Sequence, residues 1–298
     1  MATMIQPPSP PEERVAALVR LLDVEEIDRD LMRGARKPGG VGRVFGGQVI
    51  AQALASATRS IEDDKVAHSL HAYFMRGGDE DWPIVFRVVR DFDGRSFATR
   101  RIIALQKGKP ILNMAASFQR PEEGFAHHAP MPDVPRPDAL PTMAERIDAR
   151  SPGTMNDLAR DRMLNGPIEL RPCEPFDAEP GAPPFQSTWF RAVAPLPEDP
   201  RVHRAVLAYA SDIALLGTSL RVHGGLWDAD TVVAASLDHA LWLHETPRAD
   251  DWLLYACDSP WAGGARGFNR GLIYAADGRL VASAAQEGLI RPATNAGA

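Results

Sequence analysis

The sequence predicts an α+β fold made of two tandem copies of one unit, each an antiparallel sheet wrapped around a long helix. Three observations predict it. Two segments are apolar nearly all round, as buried helices are. Each is followed by short segments rich in β-branched and aromatic residues, and the two halves share residue-level matches in the same order. At 298 residues, the chain is long enough for two such units.

The first half is predicted to contain two helices followed by four strands. Apolar residues at helical spacing predict the first helix over Pro11–Met32. Small and apolar residues on every side predict a buried helix over Gly46–Ala57. Four segments bounded by Gly, Asp and Pro predict antiparallel strands over residues 68–75, 84–91, 96–106 and 110–119.

The second half repeats this order. An apolar segment predicts a buried helix over Ala205–Leu220, and Asp277-Gly278 is typical of a hairpin turn. The segment Leu70 to Met75 matches Asp238 to Leu243, which supports a true repeat. Strands are predicted over residues 231–244, 251–258, 267–275 and 280–290.

A proline-rich stretch separates the two halves. Between Arg120 and Pro200 lie 16 of the 26 prolines. Proline fixes φ and removes a backbone donor, so this density argues against a long strand or helix and leaves room for short helices such as Ala144–Arg150. The predicted organisation is a first repeat with its leading helix over 1–120, a connector over 121–200 and a second repeat over 201–298.

Composition excludes several classes of protein. With 33 basic and 39 acidic residues the net charge is -6, so no global positive field would recruit nucleic acid. No apolar stretch approaches the roughly 18 residues of a membrane helix, and the first residues lack the pattern of a secretion signal. Two cysteines, Cys173 and Cys257, are too few for a disulfide framework. We expect a cytoplasmic protein without a membrane span.

The common catalytic and cofactor motifs are absent. A serine elbow needs Gly-x-Ser-x-Gly, and the nearest match, Gly94–Ala98, ends in alanine between two predicted strands. No phosphate loop and no dinucleotide-binding glycine pattern occurs. The histidines do not show a metal-ligand spacing, and each of them, including His239 and His244, fits a polar surface or a hydrogen-bonded interior position. We therefore expect neither a metal nor a cofactor.

Three polar residues distinguish the second copy from the first. A carboxylate in a buried helix is costly without partners, so Asp212 in the second predicted buried helix needs hydrogen-bond donors or a function. Asp, Ser and Gln side chains can together form one hydrogen-bonding set. In the second copy Asp212, Ser236 and Gln286 stand where the first copy has Gln52, His68 and Ser117.

Eight segments of the chain resemble the acyl-CoA thioesterase II family. The resemblance runs from about Val15 to Arg291, in order and with similar spacing. In the first half it is carried by Val44–Leu54, His68–Phe74, Gly108–Ile111 and Ala116–Gln119. In the second half it is carried by Tyr209–Asp212, Leu237–Trp242, Ser259–Gly267 and Gln286–Gly288.

The resemblance implies a double hot-dog fold and hydrolysis of acyl-CoA to free fatty acid and CoA, without a metal or a covalent intermediate. The family's catalytic set of aspartate, threonine or serine, and glutamine matches Asp212, Ser236 and Gln286. Serine in place of threonine keeps the hydroxyl but loses a methyl that stiffens χ1. The resemblance also implies a homodimer or larger homo-oligomer.

Asp212 is expected to act as a general base on water, with Ser236 and Gln286 holding that water in position. Two other functions stay open at this point. One is a non-catalytic protein that binds or senses acyl-CoA, which retention of all three polar residues disfavours. The other is an enoyl-CoA hydratase on the same fold, but the Asp-x-Asn-Pro-x-His arrangement of those enzymes is absent.

Overall fold

The computed structural model describes residues 9–37, 42–62, 64–149, 157–175, 178–224 and 232–293. Helices and strands of the first half are α1 (Pro11–Leu22), β1 (Val24–Asp28), β2 (Leu31–Gly34), α2 (Gly46–Thr58), β3 (Val66–Phe74), β4 (Ile84–Asp93), β5 (Phe97–Gln106) and β6 (Lys109–Gln119). Three helical segments follow, a 3₁₀ helix (Pro137–Ala139), α3 (Met143–Asp148) and α4 (Asp157–Asn165). The remainder are β7 (Ile168–Pro172), β8 (Phe185–Ala192), α5 (Pro200–Ala210), a 3₁₀ helix (Leu216–Leu220), β9 (Val232–Ser236), β10 (Asp238–Leu243), β11 (Leu253–Gly263), β12 (Arg266–Ala275) and β13 (Leu280–Pro292).

All described strands belong to one antiparallel sheet that runs through both halves. From its two outer edges inward, the order is β1-β2-β4-β5-β6-β3 in the first half and β7-β8-β11-β12-β13-β10 in the second. The halves join where β3 pairs with β10, with Leu70 opposite Leu241, and β9 pairs with β13 outside this path. The identical order confirms the predicted duplication and the double hot-dog fold.

Helix α2 is buried on nearly every side, as the sequence predicts. Most of its residues are buried, and it contacts the strands of the first half as well as α5. Alanine and glycine make this close approach possible because they add little volume between helix and sheet. Phe45, just before the helix, makes an edge contact with Tyr209 of α5 at 5.0 Å between ring centroids. The two helices thereby join the cores of the two halves.

Helix α5 is shorter than predicted, and a turn and a 3₁₀ helix follow its end. It begins with Pro200 behind the cap Asp199, whose side chain accepts the Arg201 N–H at 2.9 Å. It ends at Ala210, whereas the sequence predicts one helix to Leu220. The Ser211 carbonyl accepts a hydrogen bond from the Tyr255 hydroxyl at 2.9 Å instead of continuing the helix ladder. A turn and the 3₁₀ helix Leu216–Leu220 replace the missing turns.

Three glycines of β12 and β13 let the 3₁₀ helix Leu216–Leu220 and the Tyr255 ring pack closely against the sheet. A Cβ at Gly271 would lie 2.2 Å from the Tyr255 ring, and one at Gly267 would lie 2.4 Å from the Ser219 hydroxyl. A Cβ at Gly288 would lie 2.2 Å from a Leu216 methyl. Glycine is required at these positions because the 3₁₀ helix and Tyr255 occupy the space of a side chain.

The first helix ends ten residues earlier than its apolar spacing predicts. Asp23 follows Leu22 with an extended ψ of 155°, and the chain continues as the hairpin β1–β2. Asp30 turns that hairpin with a positive φ of 59°. Ile27, which fits the helical spacing, is 45% exposed on this hairpin. Its position in the pattern is therefore coincidental.

The predicted connector contains part of the second half's sheet, so its boundary at residue 200 is corrected. Strands β7 and β8 lie inside residues 121–200, and β8 pairs with β11, with Phe190 opposite Leu253. The predicted short helix is present as α3, which begins with a capping box between Thr142 and Glu145; Arg150, its predicted end, lies outside the described residues.

The predicted strand 231–244 is two strands. It breaks between β9 and β10 at Leu237, whose N–H bonds to the Glu287 carbonyl and whose carbonyl accepts the Phe74 N–H. Its predicted first residue, Thr231, lies outside the described residues. The other seven predicted strands and the Asp277-Gly278 turn are present. No described helix is both long enough and apolar enough to cross a membrane.

We expect Gly271→Ala to lower the free energy of unfolding by about 1–3 kcal/mol, because the added methyl overlaps the buried Tyr255 ring. Chemical denaturation monitored by circular dichroism measures this change. Gly124→Ala is the matched control, since a Cβ at Gly124 meets no atom within 4 Å. Equal stability of the two variants would contradict the close packing described for Tyr255.

Candidate active site

The three predicted site residues come from three separate parts of the second half. Asp212 lies in the turn between α5 and the following 3₁₀ helix, not inside a helix as predicted. Ser236 is the last residue of β9, Gln286 lies on β13, and these strands pair with Ser236 opposite Gly288. The argument from burial still holds, because the Asp212 side chain is only 4% exposed.

The side chains of the three residues meet. Gln286 Nε2 donates to Asp212 Oδ1 at 2.7 Å and lies 3.2 Å from Ser236 Oγ. The Ser236 hydroxyl also donates to the Asp212 carboxylate. The structure thus brings together the carboxylate, hydroxyl and amide that the sequence comparison of the two halves singles out.

The Asp212 carboxylate lies at the start of α2, so the first half contributes to the site. The Gly47 backbone N–H donates to this carboxylate. A Cβ at Gly46 would lie 2.6 Å from Asp212 Oδ2, so only glycine leaves room for it. The N–H groups of a helix's first turn lack partners within the helix and carry partial positive charge, which favours an anion there.

Burial raises the pKa of Asp212 from 3.8 to about 6. The hydrogen bonds from Gln286, Gly47 and Ser236 act in the opposite direction because they stabilise the ionised form. Loss of water around the carboxylate is the larger effect. The result is a carboxylate that is ionised at neutral pH and is nevertheless more basic than an exposed one.

A fourth side chain, His239, lies inside the site. Its ring is fully buried, with Nδ1 3.2 Å from Gln286 Nε2 and Nε2 2.9 Å from Ser211 Oγ. Burial lowers its pKa to about 4, so the ring is neutral at physiological pH. The sequence analysis interpreted His239 as a polar surface or hydrogen-bonded interior histidine and did not place it in the site. Its place beside Asp238, in a segment that matches the first half, was the available signal.

The corresponding positions of the first half hold no comparable cluster. His68 Nε2 lies 2.8 Å from Ser117 Oγ. Gln52, opposite Asp212 in the repeat alignment, points elsewhere and donates from Nε2 to the carbonyls of Leu21 and Ala35 at 2.6 and 2.9 Å. Within the described ranges, no three His, Cys, Asp or Glu side chains are grouped as ligands for a metal ion.

The sequence matches two family models that together span most of the chain. Residues 35–119 match the acyl-CoA thioesterase N-terminal domain, and residues 125–290 match the acyl-CoA thioesterase C-terminal domain. Human acyl-coenzyme A thioesterase 8 is 39% identical over 95% of this chain and 91% of its own length. Acyl-CoA thioesterase 2 of Haemophilus influenzae is 36% identical over 92% of this chain and 96% of its own.

Solved structures agree with these matches. The crystal structure of acyl-CoA thioesterase II TesB2 from Mycobacterium marinum is 38% identical, covers 95% of this chain and all of its own, and has a TM-score of 0.77. A hot-dog protein from Alicyclobacillus acidocaldarius, only 18% identical, shows the same fold with a TM-score of 0.75 and covers 92% of this chain and 98% of its own. The chain belongs to the acyl-CoA thioesterase II family of enzymes.

Proposed function

We propose that the protein hydrolyses acyl-CoA thioesters to free fatty acid and CoA, with water as the attacking group and no covalent intermediate. The observation that carries the proposal is Asp212, a buried carboxylate with a pKa of about 6 that contacts both an amide and a hydroxyl. A general base works best when its pKa lies near the working pH. The names of the human and Haemophilus influenzae relatives support the same substrate class.

In this mechanism Asp212 accepts a proton from water while the water oxygen attacks the thioester carbonyl carbon. Gln286 and Ser236 fix the direction of the carboxylate and hold the water, which lowers the entropic cost of the attack. The tetrahedral intermediate then expels the CoA thiolate, which takes the proton from Asp212. A thioester has a good leaving group, so no protein nucleophile is required.

Developing negative charge on the carbonyl oxygen needs a donor, and the start of α2 is the proposed source. The first helical hydrogen bond is made by Gln48 N–H to Phe45, and since Gly47 N–H donates to Asp212, the Gly46 amide is the proposed donor. The partial positive charge of that helix end favours an oxyanion.

A homo-oligomeric, cytoplasmic enzyme of lipid metabolism is part of the same proposal. The sheet ends in the edge strands β1 and β7, and exposed sheet edges are commonly covered by association. Both cysteines are free, which fits a reducing compartment. Light scattering after size-exclusion chromatography tests the assembly, and the mass of a single 298-residue chain at micromolar concentration would contradict it.

Asp212→Asn is expected to lower kcat by roughly 10²–10⁴-fold, because it removes the general base. Ser236→Ala and Gln286→Ala should lower kcat about 10- to 100-fold, because each loosens the position of water and carboxylate. Thiol release from short-, medium- and long-chain acyl-CoA measures these rates, with folding checked by circular dichroism. Ser283→Ala is the control, since this hydroxyl lies on β13 and bonds to His244 outside the site.

Two results would contradict the proposed function. Near-wild-type turnover by folded Asp212→Asn would remove Asp212 from the mechanism. Wild-type protein that binds acyl-CoA without turning over any chain length would be a binding or sensing protein instead.

The dependence of kcat/KM on pH should show an acid limb centred near pH 6. Only ionised Asp212 accepts a proton, so kcat/KM should fall about tenfold per pH unit below its pKa and level off above it. Initial rates between about pH 4 and about pH 8, roughly two units on either side of the pKa, measure this profile. A flat profile through pH 6, or the same limb in Asp212→Asn, would assign the titration to another group.

Asp212→Asn is also expected to stabilise the fold at neutral pH. The pKa of Asp212 is higher in the folded state than the unfolded value of 3.8, so the folded state binds the proton more tightly. Ionised Asp212 therefore destabilises the fold above pH 6 by up to about 3 kcal/mol, and this cost disappears as pH falls toward 3.8. Urea denaturation of both proteins at about pH 8 and about pH 4.5 measures it. A variant that is less stable at both pH values would contradict the assigned cost.

A further inference from the structure

We propose that His239 is a positioning residue that holds the Gln286 amide in one orientation, with its NH₂ group toward Asp212. The inference rests on the proposed function, because the Gln286 amide orients the Asp212 carboxylate that activates water. The proposal assigns a role to a fully buried side chain that contacts Gln286, one of the three predicted site residues. Three features of the site support it.

The first feature is the number of acceptors around the Gln286 NH₂ group. Nε2 lies 2.7 Å from Asp212 Oδ1, 3.2 Å from Ser236 Oγ and 3.2 Å from His239 Nδ1. An amide nitrogen has two hydrogens, so the carboxylate takes one and the other lies between the hydroxyl and the imidazole. A flipped amide would place its carbonyl oxygen 2.7 Å from a carboxylate oxygen, which is repulsive.

The second feature determines which nitrogen of His239 carries the proton. The Ser211 hydroxyl donates its only hydrogen to the Ala208 carbonyl at 3.0 Å. Its oxygen can therefore only accept from His239 Nε2, 2.9 Å away. The neutral ring then has its hydrogen on Nε2 and a lone pair on Nδ1, which faces Gln286. Asp212 Oδ1 lies 3.9 Å from Nδ1, too far for a direct hydrogen bond.

The third feature is the Gln286 carbonyl oxygen. Gln286 is fully buried, yet no donor of the described residues reaches its Oε1 atom. A buried acceptor without a partner costs about 1–3 kcal/mol. The contacts of the NH₂ group must offset this cost for the orientation to persist, and the contact with His239 Nδ1 is one of them.

The catalytic cycle explains why a second acceptor is needed. While Asp212 is ionised, its charge alone keeps the amide NH₂ group turned toward it. Once Asp212 has taken the proton from water, the carboxyl group becomes a donor. A flipped Gln286 amide could then accept a hydrogen bond from it through Oε1. The Nδ1 lone pair of His239 opposes this flip because it offers no donor to a carbonyl oxygen. The orientation is thus kept through the step in which the carboxylate is neutral.

His239→Leu and His239→Asn separate positioning from packing. Leucine fills the buried space without an acceptor, whereas asparagine places Oδ1 near the site of Nδ1. We expect His239→Leu to lower kcat about 10- to 100-fold with KM changed less than about twofold, because the site is loosened but substrate contacts remain. His239→Asn should recover kcat to within about threefold of wild type. His71→Leu, the matching residue of the first half, is exposed and should leave kcat unchanged.

The acid limb of the pH profile distinguishes this role from an electrostatic one. A neutral His239 does not stabilise the negative charge of Asp212. Folded His239→Leu should therefore keep the acid limb near pH 6, while the plateau value of kcat/KM falls. A limb displaced upward by a full unit would mean that a charged histidine stabilises the carboxylate, and would overturn the proposal. An unchanged kcat in folded His239→Leu, or equal losses in the leucine and asparagine variants, would overturn it as well.

Nitrogen NMR of the wild-type protein labelled with ¹⁵N-histidine tests the orientation in the wild-type protein itself. The His239 signal, assigned by its loss in His239→Asn, should show the neutral Nε2–H tautomer at pH 7. An Nδ1–H tautomer or an imidazolium would overturn the proposal. The tautomer is measured without substrate, so this result stands apart from the turnover that decides the proposed function.

Discussion

The contact between the Asp212 carboxylate and the start of α2 is the constraint on which the site depends. A buried carboxylate needs donors, and here they come from both halves: Gly47 from the first, Gln286 and Ser236 from the second. All three donors are neutral, so they orient the carboxylate without lowering its pKa as strongly as an ion pair would. The site therefore gains both a fixed geometry and a base of useful strength.

The end of α5 creates this contact and distinguishes the second half from the first. Helix α2 continues past Gln52, whose amide bonds to neighbouring carbonyls and takes no part in a polar cluster. Helix α5 stops at Ala210, the Tyr255 hydroxyl donates to the Ser211 carbonyl, and the turn that follows directs Asp212 toward α2. Glycines beneath Tyr255 and the 3₁₀ helix give this arrangement the space it requires.

Patterns local in the sequence predicted most of the fold. Alternation and composition located α2 and the strands β3–β6 and β10–β13, and comparison of the copies singled out Asp212, Ser236 and Gln286. What could not be predicted depends on distant partners. The break after α5 depends on Tyr255, 44 residues from Ser211, and the hairpin β7–β8 depends on pairing with β11. The contacts of His239 likewise require Ser211 and Gln286, from two other elements.

The continuous sheet across β3 and β10 has a consequence for how the two copies evolve. A duplicated unit is free to be recombined as a module when each copy is self-sufficient. Here each copy covers a sheet edge and a helix face of the other, so neither copy is a self-sufficient structural unit. Selection acts on the pair. A mutation at Gly46, in the copy without the carboxylate, is constrained by the chemistry of its neighbour.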